Sequence, residues 1–320
     1  QKTAYEILSG LVGSEMCIRD RASIDCLVIA TPNYCHIDNL REIGKITQLP
    51  ILIEKPVVTN FTDIRKLRDF QNKYSADFKS LKVSKKEILD DFLLMNVSRN
   101  ISYIGRKEVF MGRAKFGVFG DGKELPQIAM SKFFRNGDFR SGYYRDQTFM
   151  MALDLLNVKQ YFAALYAHSN IEKDPASGGR QMGGHFATRL LDEDGQWINH
   201  MANFNSSADV SPTASQMPRL LGLAQASKVY KAQPELAKAF ENFTNGGDEI
   251  AIGTIGDAST SEGMFWETMN AAAVLEVPLL MNVWDDEYGI SVPKKYQIKR
   301  NMGFLIIIGA DYIRNNISTT

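Results

Sequence analysis

A strand–helix–strand unit near the C-terminal end constrains the fold more than any other part of the sequence. A first apolar run predicts a strand that ends at Gly256 and Asp257. A helix follows, and Ser259 and Glu262 have the spacing of a capping box at its start. A second apolar run predicts a strand that ends close to Asp286. The unit therefore predicts a strand over 249–255, a helix over 261–275 and a strand over 277–283.

The chain upstream of this unit shows the periods of further helices. Ser84 and Glu87 again have capping-box spacing, and the apolar residues Ile88, Phe92 and Met95 then fall on one helical face. Other helices are predicted over 124–134, 148–167, 213–230 and 234–243. Helices that alternate with buried strands predict an α/β fold, with a mostly parallel sheet flanked by helices.

The two predicted strands of the C-terminal unit end in carboxylates. In an open α/β sheet, ligands lie at the carboxyl ends of the strands, so we expect Asp257 and Asp286 side by side. Carboxylate oxygens are the ligands that a hard, octahedral magnesium ion requires, with diphosphate oxygens and water completing its shell. The alternative is structural, with Asp257 as a helix-capping residue and Asp286 in a solvated turn.

This stretch resembles the diphosphate- and magnesium-binding signature of thiamine-diphosphate enzymes, which begins Gly-Asp-Gly and ends in an asparagine pair. The resemblance implies that Asp257, Asp286 and the backbone carbonyl of Tyr288 hold magnesium. It also implies that Gly256 and Ala258 lie against the cofactor. The sequence departs from the signature twice, because Ala258 replaces its second glycine and Asp286 replaces an asparagine. The added charge of Asp286 is expected to favour the metal and disfavour the diphosphate.

Three upstream segments narrow the resemblance to the alpha portion of 2-oxo acid dehydrogenases. Tyr144 and Arg145 resemble a pair that grips the cofactor diphosphate, a role that suits a guanidinium because it binds phosphate oxygens in a bidentate way. His185 follows a Gly-Arg-Gln-Met segment similar to that of the branched-chain type. It is a candidate catalytic residue, with a purely structural histidine as the alternative. Ser211 and Thr213 resemble the loop that contacts the cofactor's aminopyrimidine.

The resemblance covers residues 79–297 and implies a thiamine-diphosphate-binding domain that uses thiamine diphosphate and Mg. The implied activity is oxidative decarboxylation of a 2-oxo acid, either a branched-chain 2-oxo acid or pyruvate, with acyl transfer to a lipoyl group. The implied partners are a beta subunit or fused beta portion and a lipoyl acyltransferase core, so an oligomer is expected. We expect an incomplete subunit that contacts the cofactor but turns over little substrate alone. The alternative is a non-catalytic assembly subunit.

Residues 22–78 have a different character. Strands and helices are predicted there over 26–30, 38–46, 50–53 and 62–74. They indicate a partial Rossmann-type βαβ fragment with parallel strands. An Ala-Thr-Pro-Asn segment and a later Glu-Lys-Pro segment resemble the Gfo/Idh/MocA oxidoreductases. That resemblance implies an alternative function, an NAD(P)-dependent sugar oxidoreductase with Lys55 in catalysis, although no glycine-rich dinucleotide-binding turn precedes the fragment.

The remaining segments and the composition limit the expected partners and compartment. Residues 1–21 resemble translated sequencing-adapter read-through and are expected to be non-native, and residues 298–320 are expected to form a tail outside the family. Lys and Arg (37) balance Asp and Glu (37), so no net field favours nucleic acid or an anionic membrane. The three cysteines show no metal-ligand spacing, which predicts free thiols and a cytoplasmic location.

Overall fold

The computed structural model describes residues 27–29, 51–53, 84–286, 288–297 and 305–308. The described strands are β1 (Leu27–Ile29), β2 (Ile51–Ile53), β3 (Phe139–Ser141), β4 (Asn205–Ser206), β5 (Ala251–Gly256), β6 (Leu279–Trp284), β7 (Tyr288–Gly289), β8 (Val292–Pro293) and β9 (Leu305–Ile308). The described α-helices are α1 (Lys85–Phe110), α2 (Glu124–Ser131), α3 (Gln147–Ala152), α4 (Val158–Leu165), α5 (Gln216–Ala232), α6 (Pro234–Ala239) and α7 (Gly263–Leu275).

Five strands form one sheet, in the order β4-β3-β5-β6-β9. β3 pairs in parallel with β4 and β5, and β5 pairs in parallel with β6, whereas β9 runs antiparallel to β6. Parallel neighbours need a crossover connection, and α7 lies in the one that joins β5 to β6. The predicted α/β fold, with a mostly parallel sheet flanked by helices, is confirmed.

The core is centred on β5, because all six of its residues are buried. On one face of the sheet, Ala251 and Ile255 pack with Met217 of α5, Phe265 of α7 and Met281 of β6. On the other face, a second apolar cluster joins the sheet to α2 and α3. Helices therefore cover both faces of the sheet.

The predicted helix over 148–167 is wrong, because the structure has two helices there, α3 and α4. α3 ends at Ala152 with Leu153 as its C-cap, and Asp154 adopts a left-handed backbone with φ +57°. Asn157 then starts α4 with a capping box, since its side chain accepts from the Gln160 amide and the Gln160 side chain accepts from the Asn157 amide. A strong N-cap thus interrupts an apolar period that resembles one helix.

The start of α7 also differs from the sequence prediction. Ala258–Ser261 forms a 3-10 turn, so Ser259 lies too early to cap the helix. Glu262 occupies the N-cap position, and its side chain makes no capping hydrogen bond within the described residues. The turn delays the helix by two residues relative to the predicted start at Ser261 and lets the backbone at Asp257 leave β5 sharply. The predicted strands of this unit are confirmed as β5 and β6.

The cap predicted for α1 is confirmed, because the Ser84 hydroxyl accepts from the Glu87 amide at 3.1 Å. The first two turns nevertheless remain exposed, with Ile88 at 56% and Phe92 at 62%. α1 enters the core further along, through Ser98, Ile101, Ser102, Gly105 and Glu108. The apolar face predicted from the first turns is therefore not the face that this helix buries.

The described strands of the N-terminal segment pair as predicted, since β1 and β2 are parallel. The predicted helices over 38–46 and 62–74, and Lys55, lie outside the described residues. β9 falls within 298–320 and adds an edge strand to the large sheet. The division of the chain into four segments stays a prediction. Across the described ranges, no helix combines the length and apolar character that a bilayer span requires.

Candidate functional site

The turn that leaves β5 places a carboxylate in the interior. Gly256 pairs with Trp284 in the β5–β6 register, and Asp257, the next residue, is 1% exposed. Neither carboxylate oxygen of Asp257 receives a hydrogen bond from a side chain of the described residues, and the side chain does not cap the 3-10 turn. Burial, together with the carboxylates of Asp285 and Asp286, raises the pKa of Asp257 to about 6. Buried carboxylates without donors are rare, which marks a candidate ligand site.

Asp286 follows β6 and is held by two cations. The Lys123 ammonium lies 2.8 Å, and Arg145 Nη1 3.4 Å, from the same oxygen, Asp286 Oδ2. Burial by itself would raise the pKa of Asp286, but the Lys123 ammonium and the Arg145 guanidinium hold it below its usual value. Asp286 therefore belongs to a charged cluster, and it remains exposed to solvent at the same time.

The segment after β6 folds back over the 3-10 turn. β7 pairs with β8 there, and a Cβ added to Gly289 would lie 2.8 Å from the Ala258 Cβ. Tyr288 is thus brought next to Ala258, with its side chain about half exposed. Lys294 is buried in the same segment and pairs with the carboxylate of Asp285. The two ends of the sequence motif consequently meet at one edge of the sheet, as predicted.

Tyr143, Tyr144 and Arg145 reach the same edge from the loop after β3. A Cβ added to Gly256 would lie 3.5 Å from Tyr143 Oη, so this ring is packed against the end of β5. Burial raises the pKa of Tyr143, and the nearby Arg145 guanidinium opposes this shift. The Arg145 guanidinium lies 5.3 Å from the centroid of the Tyr144 ring, in a cation–π contact. A hydroxyl and a guanidinium therefore lie beside Gly256, the residue before Asp257.

His185 and Ser211 form a further contact close to Tyr144. His185 Nδ1 lies 3.0 Å from the Met182 carbonyl, which only accepts, so a neutral His185 carries its proton on Nδ1. His185 Nε2 then accepts from the Ser211 hydroxyl at 3.2 Å. The His185 and Tyr144 ring centroids are 6.5 Å apart. Thr213 is exposed on the loop that carries Ser211, and this loop therefore borders the site.

The strand ends are held together by a buried network that sequence reasoning misses. Arg140 of β3 is fully buried and pairs with the carboxylates of Asp146 and Asp209. Asp146 also accepts from the Trp284 indole at 2.9 Å and from the Thr254 hydroxyl. Asp146 and Trp284 are 138 residues apart, and no local period or spacing connects them. The role of Lys123 cannot be predicted from the sequence for the same reason, because its partner Asp286 lies 163 residues away.

The polar groups at this edge fit a cation and an anion next to each other. The buried oxygens of Asp257 suit a hard divalent cation, and Arg145 suits phosphate oxygens. No three His, Cys, Asp or Glu side chains of the described residues form a group that could hold a metal ion. A metal at Asp257 would therefore need backbone, phosphate or water oxygens as well. The cofactor and metal roles of the named residues stay predictions.

The sheet, with helices on both faces and polar groups at its strand ends, is consistent with the thiamine-diphosphate-binding α/β fold of the family that matches this chain. A sequence profile described as Dehydrogenase E1 component matches residues 94–303, which is more than half of the chain. The chain belongs to the dehydrogenase E1 component family.

Curated relatives include alpha subunits of 2-oxoisovalerate dehydrogenase. The chain is 30% identical to that of Bacillus subtilis (strain 168) over 188 residues, which are 58% of this chain and 47% of the relative. It is 26% identical over 206 residues to a mitochondrial alpha subunit of Mus musculus, which covers 64% of this chain and 38% of the relative. It is 24% identical over 213 residues to the mitochondrial alpha subunit 2 of Arabidopsis thaliana, and these residues are 67% of this chain and 38% of the relative. The chain thus spans about half the length of these relatives, or less.

Proposed function

We propose that this chain is the alpha portion of a thiamine-diphosphate-dependent 2-oxo acid dehydrogenase. In this proposal, thiamine diphosphate and Mg bind at the carboxyl ends of β5 and β6. The reaction is the oxidative decarboxylation of a 2-oxo acid, with transfer of the acyl group to a lipoyl group. Membership of the dehydrogenase E1 component family supports this reaction class.

The observation that carries the proposal is the buried carboxylate of Asp257. Neither of its oxygens receives a hydrogen bond from a side chain of the described residues. The Ala258 amide and the Lys294 ammonium favour its ionised form only in part, and the neighbouring carboxylates of Asp285 and Asp286 make that form more costly. A divalent cation would compensate both for the missing side-chain donors and for the repulsion between the carboxylates, because it supplies positive charge and accepts carboxylate oxygens as ligands. We propose Asp286 and the Tyr288 carbonyl as further metal ligands, and Gly256 and Ala258 as close contacts of the diphosphate.

Arg145 and Tyr144 are proposed to hold the diphosphate. Arg145 is mostly buried, and its guanidinium lies against the Tyr144 ring, which limits its rotation. A guanidinium held in this way loses little further entropy when it binds phosphate oxygens. Ser211 and Thr213 are proposed to contact the aminopyrimidine end of the cofactor from their exposed loop.

Bound thiamine diphosphate supplies the nucleophilic carbanion and the electron sink that decarboxylation requires. The chain's own residues orient it and handle protons. His185 is held by the Met182 carbonyl on one side and the Ser211 hydroxyl on the other, so its ring orientation is defined. With the proton on Nδ1, Nε2 is the atom that can take up a further proton. We propose His185 as a catalytic residue on this ground.

The substrate and partners are proposed from the relatives' names and the family. 2-Oxoisovalerate, which names the relatives' activity, is a branched-chain 2-oxo acid, and pyruvate is the second candidate. A beta subunit or fused beta portion would complete the active site, and a lipoyl acyltransferase core would receive the acyl group. The chain spans less than half of each of these relatives, so the activity of a whole enzyme is part of the proposal.

Calorimetric titration of the full chain with thiamine diphosphate in the presence of Mg²⁺ tests the cofactor site. We expect saturable binding by the unmodified chain and a loss of at least about tenfold in affinity, or about 1.4 kcal/mol, for Asp257→Asn. The matched control is Asp248→Asn, which changes an exposed carboxylate that pairs with Lys231 and precedes β5, whereas Asp257 follows the other end of that strand. The control should bind as the unmodified chain does.

A thermal melt without ligand separates a binding defect from misfolding. Asp257→Asn removes a buried charge that no described side-chain donor satisfies, so the variant should melt no lower than the unmodified chain. Binding that is unchanged in Asp257→Asn, or absent in the unmodified chain, would contradict the proposed cofactor site.

Reduction of ferricyanide with added 2-oxo acid tests turnover and the alternatives. We expect little reduction by the chain alone and robust reduction after reconstitution with a beta partner. A stable complex without reduction would instead favour the non-catalytic assembly subunit. The NAD(P)-dependent alternative depends on Lys55, which lies outside the described residues, so it has no structural support here.

A further inference from the structure

Lys123 is a buried lysine at the start of α2, where the backbone is held from both sides. Gly122, just before it, adopts φ +93°, a conformation that L side chains rarely adopt. Glu124, just after it, accepts from the Gly122 amide and forms a bidentate ion pair with Arg99 at 2.6 and 2.7 Å. Lys123 itself is 8% exposed. Because the side chain is buried and the backbone is fixed, the position of the ammonium group is restricted.

The ammonium group of Lys123 lies against the carboxylate of Asp286. Lys123 Nζ lies 2.8 Å from Asp286 Oδ2, within the ordinary range of a charged hydrogen bond. Arg145 Nη1 approaches the same oxygen at 3.4 Å, beyond the usual distance of a strong hydrogen bond. Lys123 is thus the principal partner of Asp286, and Arg145 the weaker one.

The charges at this edge show why the partner matters. Asp257, Asp285 and Asp286 converge at the strand ends, and their repulsion contributes to the raised pKa of Asp257. Lys294 pairs with Asp285, and Lys123 pairs with Asp286. An anionic diphosphate entering beside an uncompensated Asp286 would meet strong repulsion, because the groups are partly withdrawn from water.

We propose that Lys123 is a positioning residue for cofactor binding, one that neutralises Asp286 and so leaves the Arg145 guanidinium available to an anionic diphosphate. The proposal rests on the proposed function and adds to it a residue without direct contact to the cofactor. Without Lys123, Arg145 would become the sole described counterion of Asp286 and would be drawn away from the phosphate oxygens.

The test is a double-mutant cycle on the full chain, read by calorimetric affinity for thiamine diphosphate with Mg²⁺. Lys123→Met keeps most of the buried stem and removes the charge, and it should weaken binding at least about tenfold, which is about 1.4 kcal/mol. Asp286→Asn removes the charge that needs compensation. The double variant Lys123→Met with Asp286→Asn should then bind within about threefold of Asp286→Asn alone, because a coupled pair is not additive.

Each other outcome overturns the inference in a distinct way. If Lys123→Met binds as tightly as the unmodified chain, the ammonium has no role in cofactor binding. If Lys123→Met weakens binding by the same factor in the unmodified chain and in the Asp286→Asn variant, Lys123 contacts the cofactor directly. If Lys123→Met fails to fold, as judged by circular dichroism, Lys123→Gln takes its place in the cycle, because glutamine removes the charge but keeps a polar group beside Asp286. Absence of binding by the unmodified chain would contradict the proposed function itself.

Discussion

Buried carboxylates in this protein differ in what surrounds them. Asp209 is paired with a buried arginine, and Asp138 accepts from the Ile250 and Arg135 amides at 2.9 Å each. Asp257 has no comparable donor within the described ranges. Ionisable groups that are buried without full compensation of their charge cluster at functional sites, because such residues are kept for binding although they lower stability. At the scale of single residues, the unsatisfied Asp257 is therefore what distinguishes the site from the rest of the core.

Asp138 provides a prediction about pH. Burial raises its pKa to about 6, although the Ile250 and Arg135 amides oppose the shift. The folded state then binds the proton more tightly than the unfolded state, so this group adds stability below about pH 4 that is lost as pH rises through about 6. Relative to Asp138→Asn, the unmodified chain should gain up to about 2 kcal/mol in the free energy of unfolding between pH 7 and pH 4.

Urea unfolding at several pH values measures this difference. The comparison with Asp138→Asn cancels the titration of the other groups, which both proteins share. A difference that stays constant from pH 7 to pH 4 would show that the pKa of Asp138 is the same in the folded and unfolded states. A difference that changes in the opposite direction would show that folding lowers this pKa, and either result contradicts the prediction.

At the scale of elements, the same capping chemistry has different consequences in different helices. Ser84 caps α1, whose first turns are exposed, whereas Asn157 caps α4, whose Tyr161 and Leu165 are buried in the core. A cap contributes to global stability only if the turn that it holds is part of the cooperative unit. The exposed first turns of α1 can fray without loss of core contacts, and α4 cannot.

The two caps make a matched pair of variants. Asn157→Ala should lower the free energy of unfolding by about 1 kcal/mol, because it removes a cap whose helix packs in the core. Ser84→Ala removes the same kind of hydrogen bond and should change the free energy of unfolding by less than about 0.5 kcal/mol. Denaturant unfolding followed by circular dichroism measures both, and equal losses would show that the start of α1 is part of the cooperative core.

At the scale of the whole molecule, the buried Arg140 network joins parts of the chain that the sheet alone does not align. It links β3 to the loops after β3 and β4, and through Asp146 to the ends of β5 and β6. A buried ion network is costly to break on one side, because the remaining charges are then left without compensation. The relative placement of the strand ends, and so the site, depends on this network.

Removal of the central arginine tests that dependence. Arg140→Met leaves Asp146 and Asp209 buried without their cation and should lower the free energy of unfolding by about 3 to 5 kcal/mol. Arg106→Met is the control, since it breaks a more exposed pair with Asp121 and should cost less than about 1 kcal/mol. Thermal and urea unfolding measure both variants. Similar losses in the two would show that the Arg140 pairs contribute no more than a surface ion pair.

Much of the fold and the candidate site could be predicted from local pattern. The apolar runs that became β5 and β6 are short and flanked by polar residues, so their ends, and with them Asp257 and Asp286, could be located from the sequence. The one long helix predicted over 148–167 was wrong, because a cap at Asn157 outweighs the continuity of the apolar period. Local signals of similar strength compete, and packing chooses between them.

The sequence by itself determined the α/β class, the mostly parallel sheet and the candidate residues at two strand ends, because periodicity and strand termini are properties of neighbouring residues. Only the tertiary structure decided which of those charged residues have a hydrogen-bonding or ion-pair partner. Lys123 reaches Asp286 across 163 residues, and Trp284 reaches Asp146 across 138, whereas Asp257 receives no side-chain donor from the described chain. The energy of a buried charge depends on partners brought together by folding, and these partners leave no periodic signal along the chain.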